Sequence, residues 1–166
     1  AQTISKEELD KQAAKERKKK ISAAQEIWAG TVPAYGTIIE AYFASRGLGG
    51  MMVGSMIRFH PALYEASTKQ QLPAMVSCVT AGRRGDVVGV HRTYLCADGS
   101  AKAKINGAKK MLGACKGGHV RLYNHGPSLI VAEGIETALA VRLAMEKCNG
   151  KALPVWAALS LTNMDA

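Results

Sequence analysis

Glu133 closes a short apolar run, Leu129 to Ala132, and is followed at once by Gly134 and a helical pattern beginning at Ile135. This order puts a carboxylate at the C-terminal lip of a buried strand, where open α/β sheets carry their chemistry. Gly134 permits the sharp turn, and the helix behind it contributes a partial positive end. A carboxylate so placed can hold Mg²⁺ or serve as acid or base in phosphoryl chemistry. The plainer alternative is a helix N-cap, for which glutamate is not a preferred residue. Glu136, in the first turn of the same helix, reads as a partner of the helix dipole.

The second chemical signal is charge. The protein carries a formal net charge of +9. Between Arg83 and Arg121 there are nine basic residues and two acidic ones, whereas the first 28 residues hold seven basic and five acidic. A localised excess of this kind is the footprint of a polyanionic partner, with a solvated surface as the bland alternative. Binding that rests on such a segment must weaken steeply with salt. The run Lys15 to Lys20 reads as a solvated helix face.

The elements that must position these groups follow from pattern. Ser5 and Glu8 have the spacing of a capping box, opening a helix to about Trp28 with Ile21, Ala24 and Trp28 on one stripe. Pro33 ends that region. A shorter helix is expected from about Thr37 to Arg46, stopped by Gly47. Met56 to His60 reads as a short extended segment halted by Pro61. Pro73 to Ala81 and Val87 to Cys96 read as a hairpin around Gly82 to Asp86. A basic segment, Lys102 to Lys110, and a short strand, His119 to Tyr123, come next. Leu129 to Ala132, Ile135 to about Lys147, and Val155 to Leu159 form strand, helix, strand, a βαβ unit of a parallel sheet. The fold class is therefore α+β. Residues 1–32 are read as an N-terminal helix, 33–126 as a mostly antiparallel basic subdomain, and 127–166 as the start of an α/β unit.

Composition narrows the class further. Hydrophobic residues make up 48% and charged residues 21%, which argues against disorder. No apolar run approaches the roughly 20 residues of a membrane helix, and the charged N-terminus lacks a signal core. Cys78, Cys96, Cys115 and Cys148 are irregularly spaced without a paired motif, which fits reduced thiols in cytoplasm. His60, His91, His119 and His125 share no ligand spacing. Met51, Met52 and Met56 read as core filler. The glycines from Gly47 to Gly50 lack the lysine of a phosphate-binding loop.

Residues 129–140, followed by Pro154 to Asn163, resemble the first half of a Toprim domain, the catalytic fold of bacterial-type primases, topoisomerases and some nucleases. Ser160 to Asn163 matches the end of the family's second strand. Gly89 to Tyr94, Lys102 to Lys104 and Lys109 to Gly113 resemble the basic subdomain that precedes Toprim in bacterial and phage primases. Ala41 to Gly47 and Arg58 to Pro61 are similar to primase-helicase proteins of phages and mobile elements. The resemblance runs from about Trp28 to Asn163.

It implies DNA-directed synthesis of RNA primers by metal-dependent nucleotidyl transfer in DNA replication. Glu133 is then the acid/base or metal-binding carboxylate for Mg²⁺ or Mn²⁺. Arg92, Lys102 and Lys104 are phosphate contacts, joined by Lys109 or Lys110, with single-stranded DNA and ribonucleotides as partners and a helicase as a further one. The family's Asp-x-Asp motif is missing, and the lone Asp165 does not replace it. The expectation is therefore a fragment that binds nucleic acid but is incomplete for catalysis. Rivals are a Toprim nuclease and a non-catalytic nucleic-acid-binding or regulatory protein with a decayed Toprim half. A truncated sheet also leaves the strand Val155 to Leu159 with an apolar edge, to be covered by a second copy, a partner chain or rearranged local structure.

Overall fold

A computed structural model describes residues 5–123, 126–150 and 153–164. His125 and Asp165 lie outside the described residues. Helix α1 (Lys6–Ala29) begins at the expected capping box: Glu8 N–H donates to Ser5 Oγ at 3.2 Å, and Ser5 N–H donates to Glu8 Oε2 at 3.1 Å. Lys15 to Lys20 are all exposed, and Lys20 lies 3.8 Å from Glu16 one turn away, an arrangement worth little in water. Strand β1 (Val32–Pro33) leads to helix α2 (Ile38–Ser45), capped by Thr37.

Strands β2 (Ile57–Glu65), β3 (Gln70–Ala81), β4 (Asp86–Tyr94) and β5 (Lys109–Gly113) follow β1 in an antiparallel sheet of order β1-β2-β3-β4-β5. Pro61 does not halt β2. The register shifts between His60 and Leu63, so the residue without an N–H sits in a bulge and the strand resumes beyond it. Gly89 and Gly113 face each other across β4 and β5, and a Cβ on Gly113 (φ +112) would stand 2.3 Å from the Val88 carbonyl oxygen. Only glycine fits there.

The pleat sorts the sheet into two faces. Ala74, Val76, Val90 and Tyr94 pack with Ala24 of α1 in one cluster, joined by Ile27 and Trp28. Met75, Val79, Ile57 and Leu95 face the other way, into a larger core with Ile39, Tyr42 and Phe43 of α2.

That larger core also receives the C-terminal elements. Strand β6 (Val120–Tyr123), strand β7 (Ile130–Ala132), helix α3 (Ile135–Asn149) and strand β8 (Val155–Ala157) build a three-stranded sheet of order β6-β8-β7. β7 and β8 are parallel and joined through α3, the expected βαβ connection. Ile135 and Leu139 of α3 are buried in the core, with Leu143 packed against it. The strand read as having an uncovered edge is the central one, because β6 pairs antiparallel with β8 on the side away from β7. No described helix is long and apolar enough to cross a membrane.

A short 3₁₀ turn, Leu161–Asn163, follows β8. Asn163 is 3% exposed. Its Nδ2 donates to the carbonyls of Cys115 (3.0 Å), Gly118 (3.2 Å) and Ala158 (2.9 Å), and its Oδ1 accepts from Gly117 N–H at 3.0 Å. One amide thus ties the end of β8 to the loop before β6. Replacing Asn163 with alanine strands those buried backbone groups and should cost roughly 3 kcal/mol. Urea unfolding would register this as a lower midpoint at unchanged slope, and a loss under about 0.5 kcal/mol would show that water takes over the contacts.

Candidate functional site

Adjacent residues on a strand point to opposite faces, which decides between neighbouring lysines. Lys109 pairs in register with Thr93, and Lys110 with Arg92. Lys110 and Arg92 therefore lie on the α1 face, with Val90 and Tyr94. There Lys110 Nζ bonds the carboxylate of Glu65, which is fully buried and also accepts from the hydroxyl and N–H of Ser67 and from the N–H of Thr68. Lys110 first, and Ser67 after it, hold the Glu65 carboxyl well below the usual carboxylate range. Arg92 is partly buried, and its Nη2 approaches the Met111 carbonyl at 3.5 Å.

Lys109 points the other way and meets Glu136. Its Nζ lies 3.0 Å from Glu136 Oε2, Lys102 Nζ lies 3.6 Å from Oε1, and the Tyr42 hydroxyl donates to Oε1 at 2.7 Å. The Glu136 side chain is only 16% exposed. Burial alone would raise its pKa, but the hydrogen bonds from Tyr42 and Lys109 and the Lys109 charge bring it down to about 2. Burial, and then Glu136, push the Tyr42 phenol well up. Burial also pulls the Lys102 ammonium down, against the attraction of Glu136. Lys104 is exposed and makes none of the ion pairs among the described residues.

Beneath this cluster the same sheet face carries three polar groups without a partner among the described residues. They are Ser77 Oγ, Thr93 Oγ1 and His91 Nδ1, all buried, with Ser77 and His91 directly opposite across β3 and β4. Burial, then the charges of Lys109, Arg92 and Lys102, bring His91 down to about 4 against the pull of Glu136, so it is neutral at neutral pH. Buried polar atoms normally find a partner, and ordered water is the usual one where the protein supplies none.

Glu133 sits where the sequence places it, at the C-terminal end of β7. It is exposed, and its carbonyl accepts from Leu159 N–H at 2.7 Å, so both parallel strands end at one lip. Leu159 adopts φ +69, a left-handed conformation that costs a leucine about 1 kcal/mol. Glu136 follows Glu133 by three residues and stands in the first turn of α3, whose N-cap is Gly134. Lys102 and Lys109 therefore meet the helix start that directly follows Glu133 in the chain, while Arg92 and Lys110 lie on the other face of the sheet. Among the described residues no three His, Cys, Asp or Glu side chains converge as a metal site.

A cavity of about 360 Å³ lies elsewhere, lined by Ile39, Phe43, Leu48 and Met51. Met52 at its rim is 87% exposed, unlike the core filler expected. The roles of Glu136 and Tyr42 are not visible in the sequence because their partners stand far away in the chain: Tyr42 is 94 residues from Glu136 and Lys109 is 27. The only local signal was a second carboxylate in a first helical turn.

A family model described as "Domain of unknown function (DUF7146)" matches residues 18–122, from the second half of α1 to β6. No curated protein and no solved structure matches the chain.

Glu136→Gln should lower stability by about 2 kcal/mol at neutral pH, below the 3–5 kcal/mol of fully buried pairs. Because the folded pKa lies below its usual 4.5, the contribution is complete above about pH 4.5 and lost as pH falls toward 2. The difference in unfolding free energy between wild type and variant should therefore shrink across that window. A difference independent of pH there would remove the ionised carboxylate from the account.

Proposed function

The chain belongs to the DUF7146 family, and we propose that it serves nucleotidyl transfer on single-stranded DNA as part of a primase-like protein. In this reading residues 33–126 hold template and ribonucleotide phosphates, and β7–α3–β8 is the first half of a Toprim domain. The observation that carries the reading is the convergence of Lys102 and Lys109 on the first turn of α3, beside the strand end that bears Glu133. A basic sheet and an acidic lip at one place are what a triphosphate needs. The lysines neutralise phosphate charge, and a carboxylate can carry the metal.

Glu133 supplies one exposed carboxylate. That suits a Mg²⁺ ion that keeps most of its waters and takes phosphate oxygens as further ligands, and does not suit an all-protein cage. Such an ion, or Mn²⁺, would supply charge neutralisation at the phosphates. Two-metal chemistry needs several fixed carboxylates, and among the described residues no three His, Cys, Asp or Glu side chains converge. Within this chain the lysines bind and orient phosphate, Glu136 holds the lysines in place, and neutral His91 lies beneath them. Lys104, exposed two residues from Lys102, adds a phosphate contact at the rim; Arg92 and Lys110 stiffen the sheet from its other face.

The single carboxylate also favours a second reading, a nucleic-acid-binding module without catalysis. Both readings predict binding; only the first predicts synthesis. In the longest continuous product of the gene, Glu133→Gln should abolish ribonucleotide incorporation on single-stranded DNA with Mg²⁺ or Mn²⁺, while affinity for DNA stays within about twofold. Retained incorporation would take Glu133 out of the chemistry, and no incorporation by the unsubstituted product would favour the binding module.

A further inference from the structure

The three-stranded sheet has one face packed and one face open. Val120, Leu122, Val155 and Ala157 point into the core, and α3 covers that side. The intervening residues point outward and stand in register: Arg121 opposite Trp156, and Trp156 opposite Val131. Val131 is 38% exposed, although a strand paired in parallel is ordinarily covered on both faces. The Arg121 guanidinium lies 4.6 Å from the centre of the Trp156 ring, and the His119 ring lies 5.6 Å from it. Arg121 Nη2 also donates to the Gly82 carbonyl at 2.5 Å, pinning the turn between β3 and β4 against this face. That turn presents Arg83 and Arg84, both exposed, with Asp86 as its one acid. Arg121 Nε and Trp156 Nε1 are themselves buried and have no acceptor among the described residues.

We propose that this outer face, Arg83, Arg84 and Arg121 with Trp156 and His119, is a track for single-stranded nucleic acid, separate from the Lys102–Lys109 cluster. Two kinds of contact define such tracks: cations spaced along a backbone, and aromatic rings on which bases stack without regard to sequence. Both are present here on one rigid surface, because the sheet fixes Trp156 and the Arg121 bond fixes the turn. Charge selects the occupant: a neutral apolar partner would bury three guanidinium groups without compensation. The assignment rests on the nucleic-acid reading above and names where the strand runs.

The test uses a short oligothymidylate and a Trp28→Phe chain, in which Trp156 is the sole indole. Binding should quench Trp156 fluorescence. The double substitution Arg83→Ala with Arg84→Ala should weaken binding about tenfold at low salt and reduce the slope of log K against log salt by about 1.4, two single-strand phosphate contacts. Both arginines lie in an exposed turn, so folding should be unaffected. The pair Lys18→Ala with Lys19→Ala, exposed on α1, should leave the quench in place; the lysine pair Lys102→Ala with Lys109→Ala reports separately on the other cluster. If the arginine pair changes neither affinity nor slope and Trp156 is not quenched, the track is overturned; loss of binding in the lysine pair would then leave the proposed function standing. If no form binds the oligonucleotide, both readings fall together.

Discussion

The carboxylate of Glu136 is the constraint on which the arrangement depends. Two ammonium groups and a phenol, from two segments far apart in sequence, converge on one side chain that is nearly shut off from water. Without it, Lys102 and Lys109 would face each other beside neutral His91 with nothing to offset their charge. With it, the face of the antiparallel sheet that bears β4 and β5 is held against the start of α3. The same contact fixes where cations stand relative to the strand end carrying Glu133. Desolvation opposes the arrangement, and hydrogen bonds to the ionised form outweigh it, so the ionised state of Glu136 is the one that stabilises the site.

A second fastening lies at the same end of the small sheet, past β8. Asn163 uses both ends of its amide to close the turn after β8 onto the loop before β6. β6 thereby becomes the neighbour that β8 would otherwise lack. Closing the edge leaves the outer face open, and the arginines and Trp156 gather there. The two basic surfaces have different characters. One is a half-buried cluster paired to a carboxylate, and the other joins two exposed turn arginines to a half-buried Arg121 stacked on Trp156.

Local chemistry was legible in the chain. Ser5 and Glu8 cap α1 as their spacing requires, Thr37 caps α2, the glycines around Arg83 turn the hairpin, and the apolar runs beside α3 pair in parallel. Each of these depends on residues a few positions apart. What escaped depends on pairing across the fold. The pleat alone separates Lys109 from Lys110, and its phase cannot be read from a mixed segment whose strand begins at Lys109 itself. Pro61 passed for a terminator because nothing local announces a bulge. Glu136 passed for a helix-dipole partner because Tyr42 and the lysines reach it only once two sheets have packed.

The central claim is that Glu136 and the sheet lysines form one coupled unit beside Glu133. A double-mutant cycle on the unfolding free energies, with Lys109→Met and Glu136→Gln singly and together, measures that coupling directly. The account predicts an interaction energy of about 1 kcal/mol or more at neutral pH, as for residues sharing one hydrogen-bonded network. Additivity within about 0.3 kcal/mol, the behaviour of distant sites, would contradict it.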